Sequence, residues 1–215
     1  MPDPTQLALY FAAALVLAVM PGPGIFYVAA RTLAGGRPEG MASSFGTGLG
    51  GLVHVVAGSL GVSAIVLASA ELFTALKLVG AAYLVWLGVR TFLSARRDPS
   101  IVKGESGVPS VGPRRAFRES VLVEALNPKT AAFFLAFIPQ FVDPTQGPVA
   151  QQFMMLGFVS VALNTLADIV VALAASGIRK GAAARPALIR RLREASGAAM
   201  IALGIGLTLA RRPAG

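Results

Sequence analysis

The sequence predicts an all-α polytopic membrane protein of six transmembrane helices, arranged as two inverted three-helix repeats with helices 1 and 4 broken. Three observations carry this expectation. The 215-residue chain is 55% hydrophobic and only 13% charged, against about 25% charged in a typical soluble domain, and its mean hydropathy is +0.70. Its apolar residues gather into runs near the length of about 20 residues that crosses a bilayer. Fifteen of its 19 Lys and Arg residues fall in three clusters between those runs, after the first, third and fifth. Cations clustered beside apolar runs mark cytoplasmic loops, so the net charge of +9 points to a lipid bilayer and not to nucleic acid. With no cysteine, disulfides and thiolate chemistry are excluded. The opening Met1-Pro-Asp-Pro lacks the basic start of a signal peptide, so the first run is expected to stay in the protein.

The first run, about 5–30, is interrupted by Pro21-Gly22-Pro23-Gly24 and followed by Arg31 and Arg37. Proline removes a backbone donor and clashes with the preceding turn, so the helix opens there. The second run, about 41–69, sets Gly46, Gly50, His54 and Gly58 four apart, on one helix face. Small residues at that spacing allow close helix packing, inside one chain or between two copies in a homo-oligomer. Gly46-Thr-Gly48-Leu-Gly50-Gly51 satisfies G-x-G-x-x-G, but no strand precedes it, so it is no dinucleotide fingerprint. His54, the only histidine, is either a packed neutral imidazole satisfied by a carbonyl or a proton carrier. The third run, about 73–94, ends in Arg90, Arg96 and Arg97. After it, 98–113 is rich in Pro, Gly and Ser and reads as a connector, closed by Arg114, Arg115 and Arg118.

The fourth run, about 117–138, carries Asn127-Pro128-Lys129 near its middle and Glu124 one turn upstream. In lipid, a break is tolerated only where protein or a water-filled cavity satisfies the freed backbone groups. A lysine and a glutamate at that depth mark a substrate or ion path. The fifth run, about 151–176, places Asn164 and Asp168 on one face, with Asp168 too deep for a loop-end carboxylate. A third basic cluster spans Arg179 to Arg193, with Pro186 inside it. The sixth run, about 195–209, is short and rich in Gly and Ala, and Arg211-Arg212 follows at once. These charges imply both termini outside and three basic loops in the cytoplasm. The Arg211-Arg212 pair runs against that rule, and loss of the sixth span is the alternative topology.

The two halves resemble each other. Ala18-Val-Met-Pro21 aligns with Ala125-Leu-Asn-Pro128, and Phe26-Tyr-Val-Ala29 with Phe133-Phe-Leu-Ala136. Gly80-Ala81-Ala82 ahead of Arg96-Arg97 aligns with Gly197-Ala198-Ala199 ahead of Arg211-Arg212. We read residues 1–215 as one transmembrane transport domain: a first repeat at about 5–97, a cytoplasmic linker at 98–116 and a second repeat at about 117–212. Three spans repeated give halves of opposite orientation, and interrupted spans at matching positions point to a binding site near the midplane. Open helix ends present free amides to a carboxylate and free carbonyls to an ammonium. Pro21, Gly22, Pro23, Gly24, Asn127, Pro128, Lys129 and Asn164 are therefore the candidate substrate-binding residues. Lys129 would contact a carboxylate, or pair with Glu124. Asp168, Glu124 and His54 are the candidates for proton coupling.

With these residues in place, the chain resembles the LysE/RhtB family of bacterial amino-acid exporters over nearly its whole length. The resemblance is carried by Pro21-Gly22-Pro23, the glycine-spaced run reaching His54, and Gly80-Ala81-Ala82-Tyr83-Leu84 with Gly88. Leu126-Asn127-Pro128-Lys129, Phe133-Phe134 and Pro139-Gln140-Phe141 complete it. It implies a protein of the bacterial cytoplasmic (inner) membrane that expels amino acids or their derivatives by proton antiport, with no cofactor. Members handle basic amino acids, threonine, homoserine or its lactone, leucine, or cysteine-pathway metabolites. Because few carboxylates lie within the spans here, a small or neutral substrate is favoured. Two other readings stand beside this one. Efflux of another solute or a metal cation is disfavoured by one histidine and no cysteine, a poor soft-metal set. An intramembrane hydrolase would need a nucleophile held by a base, but Ser59, five residues from His54, points to another helix face.

Overall fold

A computed structural model describes residues 4–68, 70–97 and 110–178, and scattered helical positions between 191 and 208. Among these every regular element is helical. Most of the linker, most of the third basic cluster, most of the sixth run and the Arg211-Arg212 pair lie outside the described residues.

Helix α1 (Pro4–Val19) stops at Met20-Pro21-Gly22, and α2 (Pro23–Gly35) restarts with proline at its first position, where a missing N–H costs nothing. The two are bent by 45°. Gly36, at φ 78°, makes a one-residue turn into α3 (Arg37–Ala68), a reversal that a side chain would strain. Helix α4 is Ala70–Arg97. Helix α5 (Pro113–Ala125) breaks at Leu126-Asn127, and α6 (Pro128–Ala132) continues at a bend of 41°. It runs on through a π-helical turn, Phe133–Phe137, and a 3-10 turn, Ile138–Phe141. Helix α7 is Val149–Ile178. Among the described residues one helix, Val149–Gly177, is long and apolar enough to cross a membrane, and three qualify if each bent pair is one span.

The core explains the order of packing. Tyr10, Leu17, Val55, Phe133, Phe134, Ile138 and Phe153 form one buried cluster that draws α1, α3, α7 and the limb after α6 together. Outward faces are apolar too: Leu60, Leu126, Met155, Phe158, Leu166 and Val170 are all exposed. A water-soluble surface rarely shows so much contiguous apolar area, whereas lipid accepts it. The α3 glycines serve internal packing. A Cβ on Gly46 would lie 2.4 Å from the Phe117 carbonyl, and one on Gly50 would lie 2.5 Å from that of Val121, so α5 rests on the bare backbone of α3. Gly80 of α4 meets Ala136 in the same manner, and Gly204, in the sixth run, meets Ala81 and Val85 of α4.

Two ties hold the ends. Glu39, at the start of α3, is 1% exposed, and its Oε1 accepts hydrogen bonds from Ser110 Oγ, Val111 N and Gly112 N. It caps α5 from a distance, since Gly112 itself offers no side chain. Asp143, in the loop before α7, accepts hydrogen bonds from the Thr145 side chain and backbone, which hold its carboxyl below the usual range. A depressed carboxyl stabilises the folded loop at neutral pH and loses that contribution as pH falls through its folded value.

Candidate functional site

Proline at position i removes the donor that would reach the carbonyl of residue i−4. Pro21 therefore takes the i−4 donor from Leu17 O, and Pro128 takes it from Glu124 O, leaving them the amides of Met20 at 3.3 Å and Asn127 at 3.0 Å. Each carbonyl also accepts a side chain from the other half of the chain. Lys129 Nζ donates to Leu17 O at 3.2 Å and to Met20 O at 3.0 Å, closing the open end of α1 with a cation, as the helix dipole favours. His54 Nε2 lies 2.9 Å from Glu124 O. A carbonyl only accepts, so this nitrogen carries the hydrogen. Each break is thus completed by a side chain belonging to the other half.

Lys129 is 4% exposed and lies along Gly22, where an added Cβ would meet Nζ at 3.2 Å. The sequence suggested a pairing of Lys129 with Glu124. The structure corrects it: neither group makes an ion pair among the described residues. Glu124 is 1% exposed and is held instead by neutral donors. Its Oε2 accepts from Asn127 Nδ2 at 2.9 Å, and its Oε1 from Thr130 Oγ1 at 2.6 Å and, more weakly, from Asn164 Nδ2 at 3.4 Å. Its carboxylate also reaches the first turn of α2, 2.8 Å from where a Gly24 Cβ would stand. This ring of neutral donors satisfies both carboxyl oxygens.

Asp168, also 1% exposed, is placed differently. Thr47 Oγ1 lies 2.6 Å from its Oδ2 and 2.8 Å from Ser44 O. A threonine hydroxyl has one proton, so both contacts are hydrogen bonds only when Asp168 brings a proton of its own. Its Oδ1 is buried with no hydrogen-bond partner, which an ionised carboxylate tolerates poorly. Beside Glu124 and Thr47 is a cavity of about 10 Å³, lined also by Leu17, Thr130, Ser160 and Asn164 among others. That is room for about one water molecule.

Of the residues singled out in the sequence, the structure brings Gly22, Gly24, Glu124, Asn127, Lys129 and Asn164 to one place, against the backbone of Leu17 and Met20. Pro21, Pro23 and Pro128 act by what they remove from the backbone. His54 reaches the site only through the Glu124 carbonyl, with its ring 5.8 Å from that of Phe134. Ser59 donates to Val56 O. Sequence reasoning missed Thr47, Thr130 and Ser160, the last in contact with the Tyr10 hydroxyl. Thr47 is two turns before His54, a spacing that would have placed it beside the marked face.

Paired broken helices, joined across the halves around buried titratable groups, and an apolar outer face are the features of a helical membrane protein. The chain matches the LysE type translocator family over residues 15–211, and it belongs to that family. It is 32% identical over 157 residues to a membrane protein of Vibrio cholerae, covering 73% of this chain and 74% of that one. It is 29% identical over 157 residues to the homoserine/homoserine lactone efflux protein of Salmonella typhimurium, covering 72% and 73%. With the leucine efflux protein of Klebsiella pneumoniae it shares 27% identity over 136 residues, 62% of each. No solved structure matches the chain.

Proposed function

We propose that this protein is a secondary transporter of the bacterial inner membrane that exports amino acids or their derivatives, small or neutral ones, by proton antiport. Its six spans form two inverted repeats, with the basic loops in the cytoplasm. The observation that carries the reading is the crosswise completion of the two breaks. The carbonyls of Leu17 and Met20, the Lys129 amine and the Glu124 carboxyl at these breaks support the reading, since they are the groups that recognise a zwitterion. The relatives named for homoserine and leucine efflux support the solute class. Asp168 supplies the exchangeable proton, because its geometry is that of an acid while Glu124 has the geometry of a fixed anion. Purified protein in liposomes tests the proposal: labelled amino acids from a panel should show counterflow with no partner present. Absence of counterflow for every member would sink the amino-acid reading and favour another solute or an intramembrane enzyme.

The orientation is checked by reporter fusions. One after Asp143 should read external and one after Arg97 cytoplasmic; a cytoplasmic result at Asp143 overturns the inverted repeat.

Healing the breaks tests the site. In Pro21→Ala the new N–H at position 21 competes with Lys129 for Leu17 O; in Pro128→Ala it competes with His54 for Glu124 O. Both variants should accumulate, since alanine is the better helix former, yet transport should fall about tenfold or more, the scale of one lost charged hydrogen bond. Normal transport by both would reduce the prolines to kinks.

A further inference from the structure

We propose that the Lys129 ammonium sits in the subsite for the ammonium of the transported amino acid, as a tethered stand-in that the solute displaces. This rests on the exporter reading above and adds which group of the solute is recognised where. The end of a lysine and the amino group of an amino acid are the same donor, a primary ammonium with three N–H groups. Lys129 gives its hydrogen bonds to Leu17 O and Met20 O, two backbone carbonyls at the open end of α1, and to no carboxylate among the described residues. The bare backbone of Gly22 makes the berth, with no side chain to push the lysine aside. Leu17, whose carbonyl takes the ammonium, also lines the cavity, with Glu124 and Thr130 facing it from the other break and Asn164 from α7. A cavity of about 10 Å³ holds about one water, so an amino acid enters only as the lysine withdraws.

The arrangement selects among solutes. A buried ammonium stripped of its partners is costly. An amino acid that takes the two carbonyls brings a carboxylate with which the displaced lysine then pairs. A simple amine takes the same carbonyls and offers the lysine nothing. Lys129 therefore admits solutes bearing both charges and turns away those bearing only the positive one. Its role is to determine specificity, beyond any contact it makes to a carboxylate.

The experiment measures binding to purified protein in detergent for leucine and homoserine, and for 3-methylbutylamine and 3-amino-1-propanol, the same molecules without the carboxylate. Wild type should bind the amino acids and not the amines. Lys129→Met, similar in length and uncharged, should gain amine binding by about tenfold or more and lose amino-acid binding by a similar factor. Lys129→Gln, whose amide keeps a donor for one carbonyl, carries the same test if the methionine variant does not accumulate. Weaker amino-acid binding with no gain for the amines in either variant overturns the proposal, leaving Lys129 a carboxylate contact only. Amine binding by wild type equal to that of the variants overturns it as well. Amine gain in a variant whose parent binds neither amino acid would support the stand-in while removing the amino-acid reading, so the two failures are told apart.

Discussion

Asp168→Asn should abolish concentrative efflux while leaving exchange between equal pools of solute intact. Antiport needs a group that takes a proton on one side of the membrane and releases it on the other. Under the proposed antiport Asp168 would be that group: one oxygen shares the single Thr47 proton with Ser44 O, and the other is buried without a partner. Asparagine reproduces the protonated form, since its amide donates to Thr47 Oγ1 while Thr47 donates to Ser44 O. The variant should therefore fold, bind and exchange. What it loses is the change of charge, and net efflux should drop by about 100-fold, the low end of what a positioned proton-transfer group contributes. Measurement in liposomes separates the two, with a pH gradient in one arm and equal labelled and unlabelled pools in the other. If the variant still concentrates solute with unchanged pH dependence, the proton step belongs to Glu124 or His54.

The second large effect is structural. Gly50→Ala places a methyl group 2.5 Å from the Val121 carbonyl and 3.0 Å from the Ala125 amide, both backbone atoms that cannot turn aside. Helices α3 and α5 must separate, and α5 carries Glu124 and the break. Overpacking of this kind costs about 1–3 kcal/mol, a fall of about 5 °C in the unfolding midpoint for a chain of this size. Gly61 lies on the same helix with nothing within 4 Å of its added Cβ. There alanine should be neutral or stabilising by up to about 1 kcal/mol, through helix propensity alone. Equal behaviour of the two variants in detergent melts would contradict the close packing of α3 on α5.

What could be read from the sequence divides along a physical line. Proline's effect on its own helix is local chemistry, so both breaks were legible, as were the bare glycine face and the depth of Asp168. The fate of the freed carbonyls was not. Lys129 has Glu124 five residues away, and proximity along the chain suggested that pair. Its partners are the carbonyls of Leu17 and Met20, 112 and 109 residues distant, and only the meeting of the two breaks in space brings them within reach. The same holds for His54: a carbonyl partner was one of two readings, but which carbonyl depends on α5 lying against α3. Thr47, Thr130 and Ser160 escaped notice because hydroxyls are common in apolar helices, where they often bond their own preceding turn. Nothing local distinguishes those that face a buried carboxylate.

Three buried ionisable groups, Lys129, Glu124 and Asp168, would set how the protein meets the membrane voltage. With Lys129 positive, Glu124 negative and Asp168 holding a proton, the closed arrangement sums to zero. Under the proposed antiport a zwitterion adds no net charge, but it would ride outward after Asp168 had released its proton to the cytoplasm, and that loaded form would sum to minus one. A cell interior held negative would repel it, by up to about 2.3 kcal/mol for each 100 mV. Voltage would thus drive the loaded outward stroke, while the protonated return would be electrically silent. Efflux should persist when the pH is equal on both sides and only a potassium diffusion potential is imposed, and a solute that carries an extra positive charge should forfeit that push.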